Sequence, residues 1–260
     1  MKTVILCGGL GTRLREETEY RPKPLVDVGG YPILMHIMKI YANAGFKEFV
    51  CCLGYRGDMI KEYFLNYEQH RNDLTVTLGR KVEPIEYHDS HREQDFRVTL
   101  AETGANTMTG GRIKRILRYI KDDTFMVTYG DGLANVDVGA ILDFHRSHGR
   151  LATVTTVHPV SRFGMIDLST EGLVTSFAEK PQVDGWMNAG FFVFNKGVFD
   201  YLTGDDCVLE REPLERLAAD KQLMAFRHEG FFFAMDTYRE YKLLNDLWTT
   251  GKAPWKVWKE

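Results

Sequence analysis

Through the first part of the chain, short unbroken apolar runs alternate with longer stretches in which apolar residues recur at helical spacing. The runs "TVIL" (3–6), "EFVCCL" (48–53), "TFMVTY" (124–129) and "ATVTTV" (152–157) read as strands covered on both faces. Between them, 32–44 ("PILMHIMKIYANA"), 58–67 ("DMIKEYFLNY"), 111–120 ("GRIKRILRYI") and 137–148 read as helices. Pro32 suits a first helical turn, and Gly45 and Gly149 stand where helices stop. Strand and helix in short alternation predict an α/β fold: a Rossmann-like, mostly parallel sheet with helices on both faces.

From about Phe163 the pattern changes. Short strands dominate ("GMIDL", "LVTSF", "GFFVF", "MAFRH", "FFFAM"), interrupted by helical patterns at 212–220 and 238–250. This predicts a smaller, mixed β lobe built onto the first core. The whole reads as one domain with two halves, 1–157 and 158–260. Residues 71–97 are polar, charged and weakly periodic, and read as a long excursion. No internal repeat or low-complexity tract interrupts this order.

Composition narrows the classes of function. The 260 residues are 44% hydrophobic and 27% charged, enough for a sizeable core. The net charge is −3 with Lys and Arg scattered, which argues against a nucleic-acid surface. No apolar run reaches the roughly 18 residues of a membrane span, and the N-terminus lacks the apolar stretch of a secretory leader. Cys7, Cys51, Cys52 and Cys207 form no CxxC, and adjacent strand residues point to opposite faces, so they read as small core residues of a reducing compartment, the cytoplasm. The eight histidines form no metal-binding spacing, and no G-x-S-x-G is present.

Chemistry concentrates in "LCGGLGTRLREETEYRPKPL", residues 6–25. It follows a strand, and ligands of α/β sheets bind beyond the carboxyl ends of strands. Gly8, Gly9 and Gly11 carry no Cβ, so backbone N–H groups can approach a phosphate closely. Arg13 adds a planar fork for phosphate oxygens. Arg21 and Lys23 each precede a proline, which predicts an extended, stiff arm presenting Lys23. The segment is not a P-loop, since no Gly-Lys-Ser/Thr occurs. It fits a dinucleotide fingerprint only partly, with Leu14 where a third glycine belongs.

Further along, "VTYGDG" (127–132) places Asp131 between glycines at a strand end. That suits either a Mg²⁺ site carrying phosphate ligands or an Asp-Gly turn. "FFFAMDTYREY" (231–241) puts Asp236 after an apolar strand and before a helix, as a second metal ligand or an N-cap. "FAEKPQ" (177–182) sets Glu179 and Lys180 at a strand end, with an ordinary surface rim as the plain alternative. Asn188 and Gly190 precede the buried strand of "WMNAGFFVF", where Asn188 either meets a sugar hydroxyl or makes a turn. "ETGANTMTGGRIKR" (102–115) opens a helix with a glycine pair. The helix start favours an anion or a polar base edge, unless it is plainly capped by Thr109.

Taken in order, "GGLGTRL", "RPKPL", "YGDG", "EKP" and "MDT" resemble the sugar-1-phosphate nucleotidyltransferases along nearly the whole chain. "GGLGTRLREET", "MTGGRIKR", "RFG", "GFFVFN" and "GKAPWKVW" draw the resemblance closer, to the branch that joins CTP to glucose 1-phosphate. That resemblance implies that Leu6 and the backbone of Gly8, Gly9, Leu10, Gly11 and Thr12 hold the nucleotide. Arg13 and Lys23 would take its phosphates, and Asp131 and Asp236 would hold Mg²⁺. Thr103, Gly111 and Arg112 fall in the base-recognition loop. Lys180 grips the sugar phosphate, and Gly164, Glu179, Asn188 and Gly190 line the sugar. The resemblance also implies a cytoplasmic homo-oligomer, a hexamer, serving dideoxysugars of bacterial surface polysaccharides such as the lipopolysaccharide O-antigen, with no nucleic-acid or membrane partner. Three alternatives stay open: thymidylyl or uridylyl transfer, a non-catalytic nucleotide-sugar-binding regulatory subunit, and a dinucleotide-dependent oxidoreductase.

Overall fold

In the computed structural model, which describes residues 1–79, 85–88, 93, 95–161, 163–179, 181–182 and 184–259, eight strands form one sheet. They are β1 (Thr3–Leu6), β2 (Glu48–Leu53), β3 (Arg97–Glu102), β4 (Thr124–Tyr129), β5 (Ala152–Val157), β6 (Met187–Asn188), β7 (Phe192–Asn195) and β8 (Leu223–Arg227). The order is β6-β5-β7-β4-β1-β2-β3, with β8 also paired to β5. β1 runs parallel to β2 and β4, and β2 parallel to β3. β7 enters antiparallel between β4 and β5, so both halves of the chain share the sheet.

Alternation along each strand explains the unbroken apolar runs. In β1 and β2, Ile5, Phe49, Cys51 and Leu53 join one buried cluster, while Val4, Leu6, Val50 and Cys52 join another. Both faces of the sheet are therefore covered. All four cysteines are free and buried, with Cys51 and Cys52 on opposite faces as the pattern predicts.

The longer helices are α1 (Ile33–Asn43), α2 (Gly57–Leu65), α3 (Thr109–Arg115), α4 (Val138–His148), α5 (Glu212–Ala219) and α6 (Tyr238–Thr249). Gly45 and Gly149 do follow helix ends, with φ of 88° and 64° that only glycine adopts cheaply. Three expectations change. Pro32 is not in the first turn of α1 but extended ahead of it, paired in a two-residue strand, Tyr31–Pro32. The helix expected at 58–67 ends at Leu65, and a separate turn, Tyr67–Arg71, follows it. The helix expected at 111–120 spans Thr109–Arg115, then tightens to a 3₁₀ turn, Leu117–Tyr119.

Two segments stand away from the sheet. Strands Leu74–Val76 and Ile85–Tyr87 pair within the expected excursion, and residues 80–84, 89–92 and 94 lie outside the described ones. A hairpin of Met165–Leu168 and Val174–Ala178 is exposed along nearly its whole length. Among the described residues, no helix is long and apolar enough to cross a membrane.

Candidate active site

Beyond the carboxyl ends of β1 and β4 lies a cavity of about 310 Å³, lined by Gly8, Gly9, Gly11, Thr12 and Arg13 of the loop, though not Leu10, and by Lys23, Arg112, Tyr129 and Asp131 among others. Its floor is the glycine loop. Among the described residues, the N–H groups of Gly8, Gly9, Leu10 and Gly11 find no acceptor in the protein. Donors left open at a strand end are what an anion needs. Gly11 has φ of 64°, and a Cβ there would stand 2.7 Å from Thr18, whose hydroxyl donates to the Gly11 carbonyl at 2.9 Å. The turn is thus possible only with glycine.

Gly8 serves a different partner. A Cβ there would fall 2.1 Å from the Arg112 guanidinium. Arg112 is 4% exposed and donates to the carbonyls of Leu53, Gly104, Gly8 and Ala105 at 2.8–3.3 Å, and to the Thr103 hydroxyl at 2.8 Å. One buried guanidinium therefore ties the chain ends beyond β1, β2 and β3 together. Arg112 lines the cavity as expected, with its donors spent on the scaffold. Thr103 and Gly111 do not reach the cavity. Thr103 is buried behind it, donating to the Leu53 carbonyl at 2.6 Å. Gly111 packs against Gly204 and Asp205, where a Cβ would stand 2.6 Å from a carbonyl oxygen.

Opposite the loop, Lys23 bridges two carboxylates that are distant in sequence. Its Nζ donates to Asp131 Oδ2 at 2.5 Å and Asp236 Oδ1 at 2.7 Å, while Arg13 Nη1 lies 2.9 Å from Asp236 Oδ2. Burial works against the ammonium, but the two carboxylates outweigh it and hold its pKa above the ordinary lysine value. The arm differs from its expected shape: Pro22 is extended, yet Lys23 opens a 3₁₀ turn, Lys23–Leu25. Burial of Pro24 and Leu25 overrides the bias of a residue before proline.

The helix-cap alternatives resolve locally. Thr237, not Asp236, is the N-cap of α6, in a capping box with Glu240. Asp236 is thereby left to pair with Lys23 and Arg13. Thr109 is not the cap of α3 either. Met108 holds that position, because the Thr109 hydroxyl is drawn to Glu210 at 2.7 Å.

The residues expected around a sugar separate into two groups. Asn188 and Gly190 do not line the cavity themselves but meet Tyr129, which does: Asn188 Nδ2 donates to the Tyr129 hydroxyl at 3.2 Å, and Gly190 (φ 77°) makes room for the Tyr129 ring. Gly164 and Glu179 meet each other at the base of the exposed hairpin, against Phe177, and do not line the cavity. Lys180 lies outside the described residues. Among those described, no cluster of three or more metal-binding side chains occurs, so Asp131 and Asp236 are a two-carboxylate set. Sequence reasoning missed Tyr129 and Glu210. Tyr129 was legible only as the residue two before Asp131, and Glu210 sits in no motif.

The sequence model of the nucleotidyl transferase family matches residues 2–237. The glucose-1-phosphate cytidylyltransferase of Salmonella typhi is 51% identical over 261 residues, covering 100% of each chain, and that of Salmonella typhimurium is equally similar. A solved UDP-glucose pyrophosphorylase complexed with UDP-glucose superposes with a TM-score of 0.69 at 15% identity, covering 96% of this chain and 98% of that one.

Proposed function

The chain belongs to the nucleotidyl transferase family, and from that premise we propose that it transfers the cytidylyl group of CTP to α-D-glucose 1-phosphate, giving CDP-glucose and pyrophosphate. The observation that carries this is the full-length 51% identity to glucose-1-phosphate cytidylyltransferases. The open glycine-loop donors and the Arg13–Lys23–Asp131–Asp236 constellation support it.

A phosphate oxygen of the sugar phosphate attacks the α-phosphorus of CTP. The new P–O bond forms as the α–β bridge breaks, and the electron pair leaves on pyrophosphate. The nucleophile is already anionic, so no general base is needed. The protein must instead align two polyanions and neutralise their charge. The loop N–H groups and Arg13 hold the triphosphate, and Lys23 steadies charge at the α-phosphate. Arg112 keeps the loop in shape. Asn188 and Gly190 border the acceptor, and by the resemblance Lys180, Glu179 and Gly164 would complete the sugar-phosphate site.

The donor set suits Mg²⁺. Asp131 and Asp236 present hard oxygens that already converge on one cation, the Lys23 ammonium. When bound there, Mg²⁺ supplies neutralisation of phosphate charge on the leaving side. The resemblance further supports a cytoplasmic homo-oligomer, a hexamer, with CDP-glucose destined for dideoxysugars of the O-antigen. Release of pyrophosphate with glucose 1-phosphate and Mg²⁺, measured with CTP, UTP, dTTP, ATP and GTP in parallel, tests the assignment. CTP is expected to dominate. Preference for another nucleotide would discard the cytidylyl reading and keep the chemistry, and release with none would favour a regulatory subunit.

A further inference from the structure

Tyr129 and Glu210 form a connection that the transfer chemistry described above does not use. Tyr129 ends β4, two residues before Asp131, and its ring packs edge-on to Phe192 at 6.0 Å. Its hydroxyl donates to Glu210 Oε1 at 2.6 Å and accepts from Asn188 Nδ2 at 3.2 Å. The other oxygen of Glu210, Oε2, accepts from the Thr109 hydroxyl at 2.7 Å, and Thr109 lines the nucleotide cavity. Glu210 is fixed from behind as well. Leu209 N–H donates to Thr109 at 2.9 Å, and Gly110 and Gly111 donate to the Cys207 carbonyl at 2.8 and 3.1 Å.

Asn188 is equally constrained. Its Oδ1 accepts from Gly190 N–H at 2.8 Å, which fixes which end of the amide carries the hydrogens. One hydrogen goes to Tyr129, and the second is left for a ligand. The backbone here carries strain: Phe191, fully buried, has φ of 47°, a left-handed conformation unfavourable for a bulky residue. Thr155 holds it, donating through its hydroxyl to the Phe191 carbonyl at 2.9 Å. This strained corner separates β6, paired to β5, from β7, paired to β4, and leaves Asn188 beside Tyr129 at the end of β4.

We propose that Glu210 is a positioning residue that fixes the Tyr129 hydroxyl and, through it, the Asn188 amide that receives the sugar, so that one carboxylate sets the acceptor subsite from the nucleotide side. This rests on the reading of the acceptor as a sugar 1-phosphate. The full-length enzyme is assayed at steady state in both substrates, as wild type, Tyr129→Phe, Glu210→Ala, Glu210→Gln and the Tyr129→Phe/Glu210→Ala double variant. The expected result is a KM for glucose 1-phosphate raised about tenfold in Tyr129→Phe and Glu210→Ala, with kcat within about threefold and the KM for CTP within about twofold. The double variant is expected to be no worse than either single one, because both break the same chain of contacts. Glu210→Gln keeps one acceptor oxygen and should fall in between.

An unchanged KM for glucose 1-phosphate, equal losses for both substrates, or additive effects in the double variant would each overturn the proposal. The wild type is the separate control. If it turns over a different sugar phosphate, the assay is read on that substrate, and the substrate assignment alone is lost. If it turns over none, both readings are lost.

Discussion

Lys23 lies between Asp131 and Asp236, where the proposed nucleotide-bound cation would sit, and its ammonium neutralises both carboxylates. Lys23→Met is therefore expected to lower kcat on the order of 10²-fold or more, as losses of preorganised charge do. The same change should tighten Mn²⁺ binding by the nucleotide-free protein, because the two carboxylates are left without their resident cation. Steady-state rates and Mn²⁺ titration on the folded variant check both. Near-normal turnover would remove Lys23 from the chemistry, and weaker Mn²⁺ binding would remove the carboxylate pair from the metal. Gly8 makes a second, sterically defined prediction. The methyl of Gly8→Ala would lie 2.1 Å from the Arg112 guanidinium, which would have to move off the carbonyls it ties. The loss of buried charge-assisted hydrogen bonds is expected to cost roughly 2–4 kcal/mol in denaturant unfolding. It should raise the KM for CTP as well, since the same guanidinium shapes the loop. Unchanged unfolding would show that Arg112 has another equally good resting place.

At the scale of elements, α1 and the C-terminal tail are locked through one histidine. His36 is 1% exposed: its Nε2–H donates to the Val28 carbonyl at 2.8 Å, and its Nδ1 accepts from the Trp255 indole N–H at 3.2 Å. The Trp255 contact requires the neutral ring, because Nδ1 must accept, and burial lowers the pKa from 6.5 to about 4. Between those values the unfolded chain binds more protons than the folded one, so stability falls as pH drops from about 6.5 toward 4. Above 6.5 the contribution is fully present, and over the whole window it amounts to roughly 3 kcal/mol. Urea midpoints for wild type and His36→Gln should converge as pH falls, and parallel curves would show that His36 does not titrate in this way. Trp255→Ala, which empties a fully buried site, is expected to cost about 3–5 kcal/mol at neutral pH. These elements also show what was legible. β1, β2, β4 and β5 could be read directly, because burial on both faces leaves an unbroken apolar run in the local sequence. The placement of β7 between β4 and β5 could not, since antiparallel insertion depends on pairings far along the chain. The capping of α6 by Thr237 was masked by Asp236 beside it, and only the fold separates the cap from the ligand. The meeting of Lys23 with Asp131 and Asp236 spans 108 and 213 residues, a distance over which spacing carries no information.

The molecule as a whole leaves one surface unaccounted for. On the hairpin of Met165–Leu168 and Val174–Ala178, Ile166, Leu168, Leu173, Val174 and Phe177 are 51–69% exposed, and Phe163 beside them 78%. Single exposed apolar residues are ordinary, but a run of six on one projecting hairpin is not. The hairpin cannot bury them against its own sheet, because both of its faces stand clear of the body and a two-stranded ribbon alone is marginally stable. In the proposed homo-oligomer, a second copy of the chain would supply that cover. Leu168 and Leu173 are the positions to change, since they sit toward the hairpin tip, away from Gly164 and Glu179. Leu168→Glu with Leu173→Glu is expected to shift sedimentation from the oligomer to smaller species. Turnover per chain should fall less than assembly does, because the cavity between the glycine loop, Lys23 and Asp131 is built within one chain. A wild type that sediments only as a monomer would discard the oligomer. An assembled double variant would move its interface elsewhere.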